Sequence, residues 1–164
     1  MGIEIPGELR SLLGVLGYSW PEADETALVA MGQAWMSFAD RLEAIVSDAS
    51  SAAGEVWTEH EGEAVAAFQA WWVKEDSPAQ TLLDGANAAT LTGTGLMICG
   101  GIVLALKVAV IAQLAILAVQ IAQALATAVP TFGASLAEIP IFQQLTRTIV
   151  GNLVQETIAQ LLDA

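Results

Sequence analysis

Between Asp84 and Glu138 the chain carries one charge, Lys107, so 22 uncharged positions precede that residue and 30 follow it. A stretch of this length and polarity cannot be a solvated loop or a disordered tail; it must be buried in a fold, covered by a partner, or placed in lipid. Its Ala and Leu content and its helical spacing make it a helix rather than a strand. The rest of the chain is its opposite. Residues 1 to 84 hold 15 Asp and Glu against Arg10, Arg41 and Lys74, a net of −12, while residues 85 to 164 sum to −1. A total of −13 repels phosphate backbones, and five scattered bases form no basic stripe, which excludes nucleic acid as a partner.

Glycine and proline divide the chain into helices, and no segment reads as a strand. Pro6 introduces a short helix from about Gly7 to Leu16, and Gly17 ends it. Pro21 is expected to open a second helix running to about residue 53, with Glu22, Asp24 and Glu25 at the positive end of its dipole. Within it Leu28, Met31, Trp35, Phe38, Leu42, Ile45, Ala49 and Ala52 follow a strict 3-4 spacing, which is a coiled-coil seam needing a partner surface. A turn is expected between Ser51 and Gly62. A third helix then presents Val65, Phe68 and Trp72, and the spacing predicts that these pack antiparallel on Trp35, Phe38 and Leu42.

Ser77-Pro78-Ala79-Gln80 has the form of a capping box with proline at the first helical position, so a new helix starts there. It is expected to run to about residue 129 as a long apolar helix kinked near Gly93, Gly95, Gly100 and Gly101. Gln113, Gln120 and Thr127, seven apart, form a polar stripe. Two readings of this segment stand: a bundle helix whose stripe is the one face open to water while Lys107 extends to solvent or an acid, and a membrane-inserting helix. After Pro140 a final helix over 140–163 places Phe142, Leu145, Ile149, Leu153, Ile158 and Leu161 on an apolar face. The expected organisation is one all-α module over 1–164, built of a hairpin (21–76), the long apolar helix (78–129) and the C-terminal helix (140–163).

Candidates for chemistry are few. His60 is the single histidine, set among Glu59, Glu61 and Glu63, and reads as a solvated turn; the single cysteine, Cys99, reads as a small buried hydrophobe. No nucleophile, base and orienting group come together, so no enzyme, no metal and no cofactor are expected. The first residues carry an acid and a proline where a secretory signal would carry bases and an apolar run, so any export is expected to be Sec-independent.

The seam, the turn holding Trp57, and then Gly62, Ala66, Phe68 and a terminal aromatic resemble the hairpin of the WXG-type secretion family. The phrases GELRSLLGVLGYSWPEADE, MGQAWMSFAD, GTGLMICGGIVLALK and FGASLAEIPIFQQLTRTIVGNL resemble the WXG-like N-terminal domain of actinobacterial CpnT-like proteins and related polymorphic toxins. That resemblance implies a domain of a longer, toxin-bearing protein, exported by the type VII (ESX) route to the exterior or the cell envelope. Its implied partners are small WXG-type helical proteins, the secretion machinery and a C-terminal toxin in the same chain. A channel-forming envelope role is the alternative. The family's Trp-x-Gly turn becomes Trp57 with Gly62 here, and its aromatic-to-acid export motif falls on Trp72 and Asp76, with Tyr18 to Glu22 as the other candidate. Leu28, Met31, Trp35, Phe38, Leu42, Ile45, Val65 and Phe68 are the implied seam and partner interface. Because neither His60 nor Cys99 has a chemical task on this reading, His60→Ala and Cys99→Ala are expected to leave export of the full-length protein within about twofold of wild type, measured by secreted protein against a cytoplasmic control.

Overall fold

A computed structural model describes residues 2–163, and among them all regular structure is helical. In chain order α1 is Gly7–Val15, α2 Glu25–Glu59, α3 Glu63–Trp72, α4 Pro78–Ala126 and α5 Ile139–Asp163, with a 3-10 helix, Ala134–Glu138, leading into α5. The chain divides into two compact units, Met1–Ala27 with Ile98–Ala164 and Leu28–Met97. Both α2 and α4 contribute residues to each.

Several boundaries follow the local chemistry. Gly17 adopts φ +84 just past α1, and its N–H and that of Tyr18 close back on the carbonyls of Gly14 and Leu13. Ser77 Oγ accepts from the Gln80 N–H at 3.2 Å with Pro78 at the first helical position, as the capping pattern predicts. The Gln80 side chain turns forward to Asp84 instead of completing the box. Two boundaries differ from expectation. Helix α2 starts at Glu25 rather than Pro21, because Asp24 Oδ1 accepts from the Ala27 N–H and so caps the helix there. It also continues through Gly54 to Glu59, leaving only residues 60–62 to turn the chain. Gly62, at φ +132, takes a conformation other residues rarely adopt.

The later end of α2 changes its partner. Helix α3 is 10 residues long, roughly 15 Å, whereas Trp35 lies 24 residues or roughly 36 Å back along α2 from Glu59, so α3 cannot reach it. The expected packing of Trp35, Phe38 and Leu42 on Val65, Phe68 and Trp72 is therefore corrected. In the Leu28–Met97 unit α2 runs antiparallel to the first half of α4. Gly32 lies against Gly93, Leu42 against Gly85, and Ala39, Ala86 and Ala89 form a buried cluster. The buried face of α2 is Gly32, Ala39, Val46 and Ala53, spaced by seven and next to the large-residue seam. Small residues at this spacing allow two helix backbones to approach closely.

In the other unit Ile5, Leu13 of α1, Leu16 just after it, Val110, Leu114 and Leu117 of α4 and Val150 of α5 form the core. The buried face of α4 there is Val103, Lys107, Val110, Leu114, Leu117 and Ala124. Gln113 and Gln120 are half-buried flanks of it, and the face open to water is apolar, with Val108, Ile116, Val119 and Leu125 each at least half exposed. Of the expected water-facing stripe of Gln113, Gln120 and Thr127 only Thr127 is exposed, so the expectation is corrected for the two glutamines. On α5 the buried positions are Thr146, Val150 and Thr157, while Leu145 and Ile158 of the expected apolar face are exposed. Thr157 satisfies its hydroxyl on the Leu153 carbonyl of its own helix.

The Gly32 and Gly93 crossing generates a test. A Cβ on Gly32 would sit 2.6 Å from the Gly93 carbonyl oxygen, and one on Gly93 2.7 Å from that of Gly32, so either must push two backbones apart. A Cβ on Gly85 meets nothing nearer than 3.9 Å. Gly32→Ala and Gly93→Ala are expected to destabilise by about 1–3 kcal/mol, whereas Gly85→Ala is neutral or stabilising by up to ~1 kcal/mol through helix propensity, as read by denaturant unfolding.

Candidate functional site

The charge that breaks the apolar stretch is buried. Lys107 is 2% exposed, and its ammonium donates to Glu25 Oε2 at 2.7 Å and to the Ala23 carbonyl at 2.6 Å. Glu25 is buried as well, and its other oxygen accepts from the Ile3 N–H. Trp20 lies 5.8 Å from the ammonium across its ring and donates its indole N–H to the Ile3 carbonyl. The first helical turn of α2 and residues 3–5 are thereby tied to α4. The stem of Lys107 does extend to an acid, as its position predicts, but inside the unit and not at its surface. The Lys107 hydrogen bond, and next the Ile3 N–H, hold the Glu25 carboxyl below its usual value of 4.5, against the opposing effect of burial.

The 3-4 seam of α2 is open. Met31, Trp35, Phe38 and Ile45 are all more than a third exposed, and Val56 extends the stripe by one position. Trp35 and Phe38 meet edge to face, ring centres 6.1 Å apart. With Met31 and Ala34 they line a shallow apolar groove of about 350 Å³. Leu28 and Leu42 are half-buried at its margins, and Leu42 packs on the alanine cluster. The two stripes of α2 are adjacent heptad positions: small residues face α4, and large ones face outward.

At the far end of the hairpin the structure brings together two of the four export-motif candidates. Trp57 and Trp72 both pack at a tilt against Phe68, each with its ring centre 5.8 Å from that of Phe68, and Trp71 joins them at 6.0 Å from Phe68. Trp57 and Trp72 also line a cavity of about 390 Å³ with Val46 and Leu83 among its walls. Gly62 forms the turn between α2 and α3, and Asp76 is exposed in the turn before α4. Val65 is half-buried on α3. Tyr18, from the other candidate motif, instead lies over Gly151 of α5 and donates to the Arg147 carbonyl at 3.4 Å. His60 is exposed and its Nδ1 faces the Val56 carbonyl at 3.2 Å. Among the described residues no three His, Cys, Asp or Glu side chains are grouped as metal ligands. The small-residue stripe of α2 was missed in the sequence, although Gly32, Ala39, Val46 and Ala53 repeat every seven residues.

Among the described residues the fold is all-helical, with α2 running back along α4 and an aromatic cluster at the turn into α3. The WXG100 like domain family matches residues 6–149, and the chain belongs to that family. No curated protein and no solved structure matches it.

The buried ion pair sets a pH dependence. The folded-state pKa of Glu25 lies below its unfolded value of 4.5, so the stability it contributes is fully present above about pH 4.5 and is lost as pH falls through the lower folded value. Thermal unfolding of wild type is expected to weaken over that acid window more steeply than that of a Glu25→Leu/Lys107→Met double variant. At pH 7 Lys107→Met alone, which strands a buried carboxylate, is expected to lower the melting temperature more than the double variant does.

Proposed function

We propose that this chain is a non-catalytic export and assembly domain, carried at the N-terminus of a longer type VII secretion substrate of the polymorphic toxin kind. It docks a small helical partner, leaves the cytoplasm by the Sec-independent type VII route, and acts outside the cell or in the envelope. The single observation that carries this reading is the open seam of α2. A helix that already has a buried small-residue face keeps a second heptad stripe of Met31, Trp35, Phe38 and Ile45 in water. Large apolar residues at that spacing are knobs for another helix, and exposing them is unfavourable unless something covers them in use. The family membership supports the type VII route, and Trp57, Gly62, Trp72 and Asp76 are the residues we assign to the export signal.

One observation favours a second reading, insertion into a membrane. Helix α4 is long and apolar enough to cross one, with a mean hydropathy of 2.6 over its most apolar stretch, only 28% of which is buried. A core helix of a water-soluble bundle would be mostly buried. Wild-type protein floating with lipid vesicles would support insertion.

The partner reading is tested by Trp35→Glu/Phe38→Glu, which places two charges in the seam without touching the buried stripe. With a co-expressed small WXG-type partner, the complex seen by size exclusion is expected to weaken by at least about 30-fold, roughly 2 kcal/mol for central aromatic anchors, with circular dichroism unchanged. A complex that survives both charges overturns the seam as the docking face.

A further inference from the structure

The turn that follows α4 is uncharged and puts its largest side chains in water. No Asp, Glu, Lys or Arg stands between Lys107 and Glu138. Past the end of α4 at Ala126, Val129 is 85% exposed and Phe132 100%, with Leu125 before them and Leu136 after them also exposed. Phe132 holds φ +50 and Gly133 φ +85, so two successive left-handed residues turn the chain back. A bulky residue rarely takes that conformation, and here it leaves an aromatic ring wholly in water. The polar groups of the turn are meanwhile engaged within it. The N–H groups of Thr127, Ala128, Thr131, Phe132, Gly133 and Ala134 all donate to carbonyls of residues 123–131, and Pro130 has no N–H to leave unpaired. The hydroxyls of Thr127 and Thr131 donate to the carbonyls of Gln123 and Thr127 at 2.9 and 2.7 Å, and that of the buried Ser135 donates to Ala124 at 2.8 Å.

We propose that this tip, residues 125–136, is a shallow lipid anchor that enters the apolar layer of a neutral bilayer with Val129 and Phe132 leading. The inference deepens the membrane reading of α4 by naming the part that enters, and it rests on that reading. Chemistry selects lipid over a protein as the occupant. A protein interface carries about one hydrogen bond per 100–200 Å² and a polar rim, and an uncharged tip whose donors are already bonded has little to offer one. Lipid makes the opposite demand, since it penalises charges and unpaired backbone groups. This turn carries no charge and bonds its donors within itself. The chain's net charge of −13 turns it away from anionic headgroups, so the surface it fits is zwitterionic. Apolar groups at such a surface bury about 5–10 Å deep, which asks nothing of the packed core of Leu114, Leu117 and Val150.

The test floats the full chain with phosphatidylcholine vesicles in detergent-free buffer and titrates the partition. Wild type is expected to bind. Val129→Asn/Phe132→Asn should lower the partition coefficient by at least about tenfold, because it withholds the leading apolar side chains from lipid. Both positions are exposed, and Asn takes a left-handed backbone more readily than Phe, so circular dichroism should stay unchanged. Ile116→Asn/Val119→Asn, on the open face of α4, should stay within about twofold, since shallow entry leaves that face outside the bilayer. A nitrobenzoxadiazole probe on Ala134→Cys, in a Cys99→Ser background, should shift to the blue on the vesicles. A wild type that does not float overturns the tip and the membrane reading together. Flotation unchanged by Val129→Asn/Phe132→Asn, with a probe that stays in water, overturns the tip alone and leaves it to a protein partner or a second copy. Equal losses in both double variants overturn shallow entry in favour of insertion along α4. Flotation that requires phosphatidylglycerol overturns the zwitterionic surface.

Discussion

A 49-residue helix with one charge in its middle sets the terms for everything around it. Only 28% of its most apolar stretch is buried. The chain buries one narrow stripe of α4 in each compact unit and leaves the remainder open. In one unit the stripe is small, Ala86, Ala89 and Gly93, and admits the backbone of α2. In the other it is large, Val110, Leu114 and Leu117, and takes side chains from the α1 region and α5. Lys107 falls on the buried stripe of the second unit, where an uncompensated ammonium would be costly. Glu25, Ala23 and the Trp20 ring supply what water would have supplied.

How much of this could be read in the chain beforehand depended on whether the signal was local. Gly17, Gly62 and Ser77-Pro78 punctuate the helices through backbone conformation and caps, and those boundaries were legible to within a few residues. The end of α2 was not, because Gly54 is a poor helix former that the helix nevertheless tolerates. That six-residue difference decided the packing, since it moved α3 out of reach of Trp35. The large-residue seam was legible as a face requiring a partner. The small-residue stripe beside it carries almost no hydrophobic signal, although Gly32 and Ala39 are the contacts that hold the hairpin. Lys107 was expected to reach solvent or an acid. Which acid depends on a fold that brings together positions 82 residues apart.

The candidate site divides in the same way. Trp57 and Trp72 were single letters fifteen positions apart, and their common contact with Phe68 follows from a helix break only three residues wide, His60 to Gly62. Asp76 carries no such contact and stays in an exposed turn. Tyr18 matches the letters of the alternative motif, but its ring packs over Gly151, where any larger residue would displace it.

The two stripes of α2 place packing and exposure on adjacent faces of one helix. Small residues fix α2 against α4 with little apolar area, so the large apolar side chains remain available for a second surface. Such a helix risks sticking to copies of itself, and charge opposes that. The Leu28–Met97 unit carries ten carboxylates against Arg41 and Lys74, a net of −8, which sets two copies against each other while leaving a neutral or basic partner free to approach. The acidic half of the sequence and the open aromatic seam are thus parts of one arrangement: like charge opposes self-association across the exposed Trp35 and Phe38.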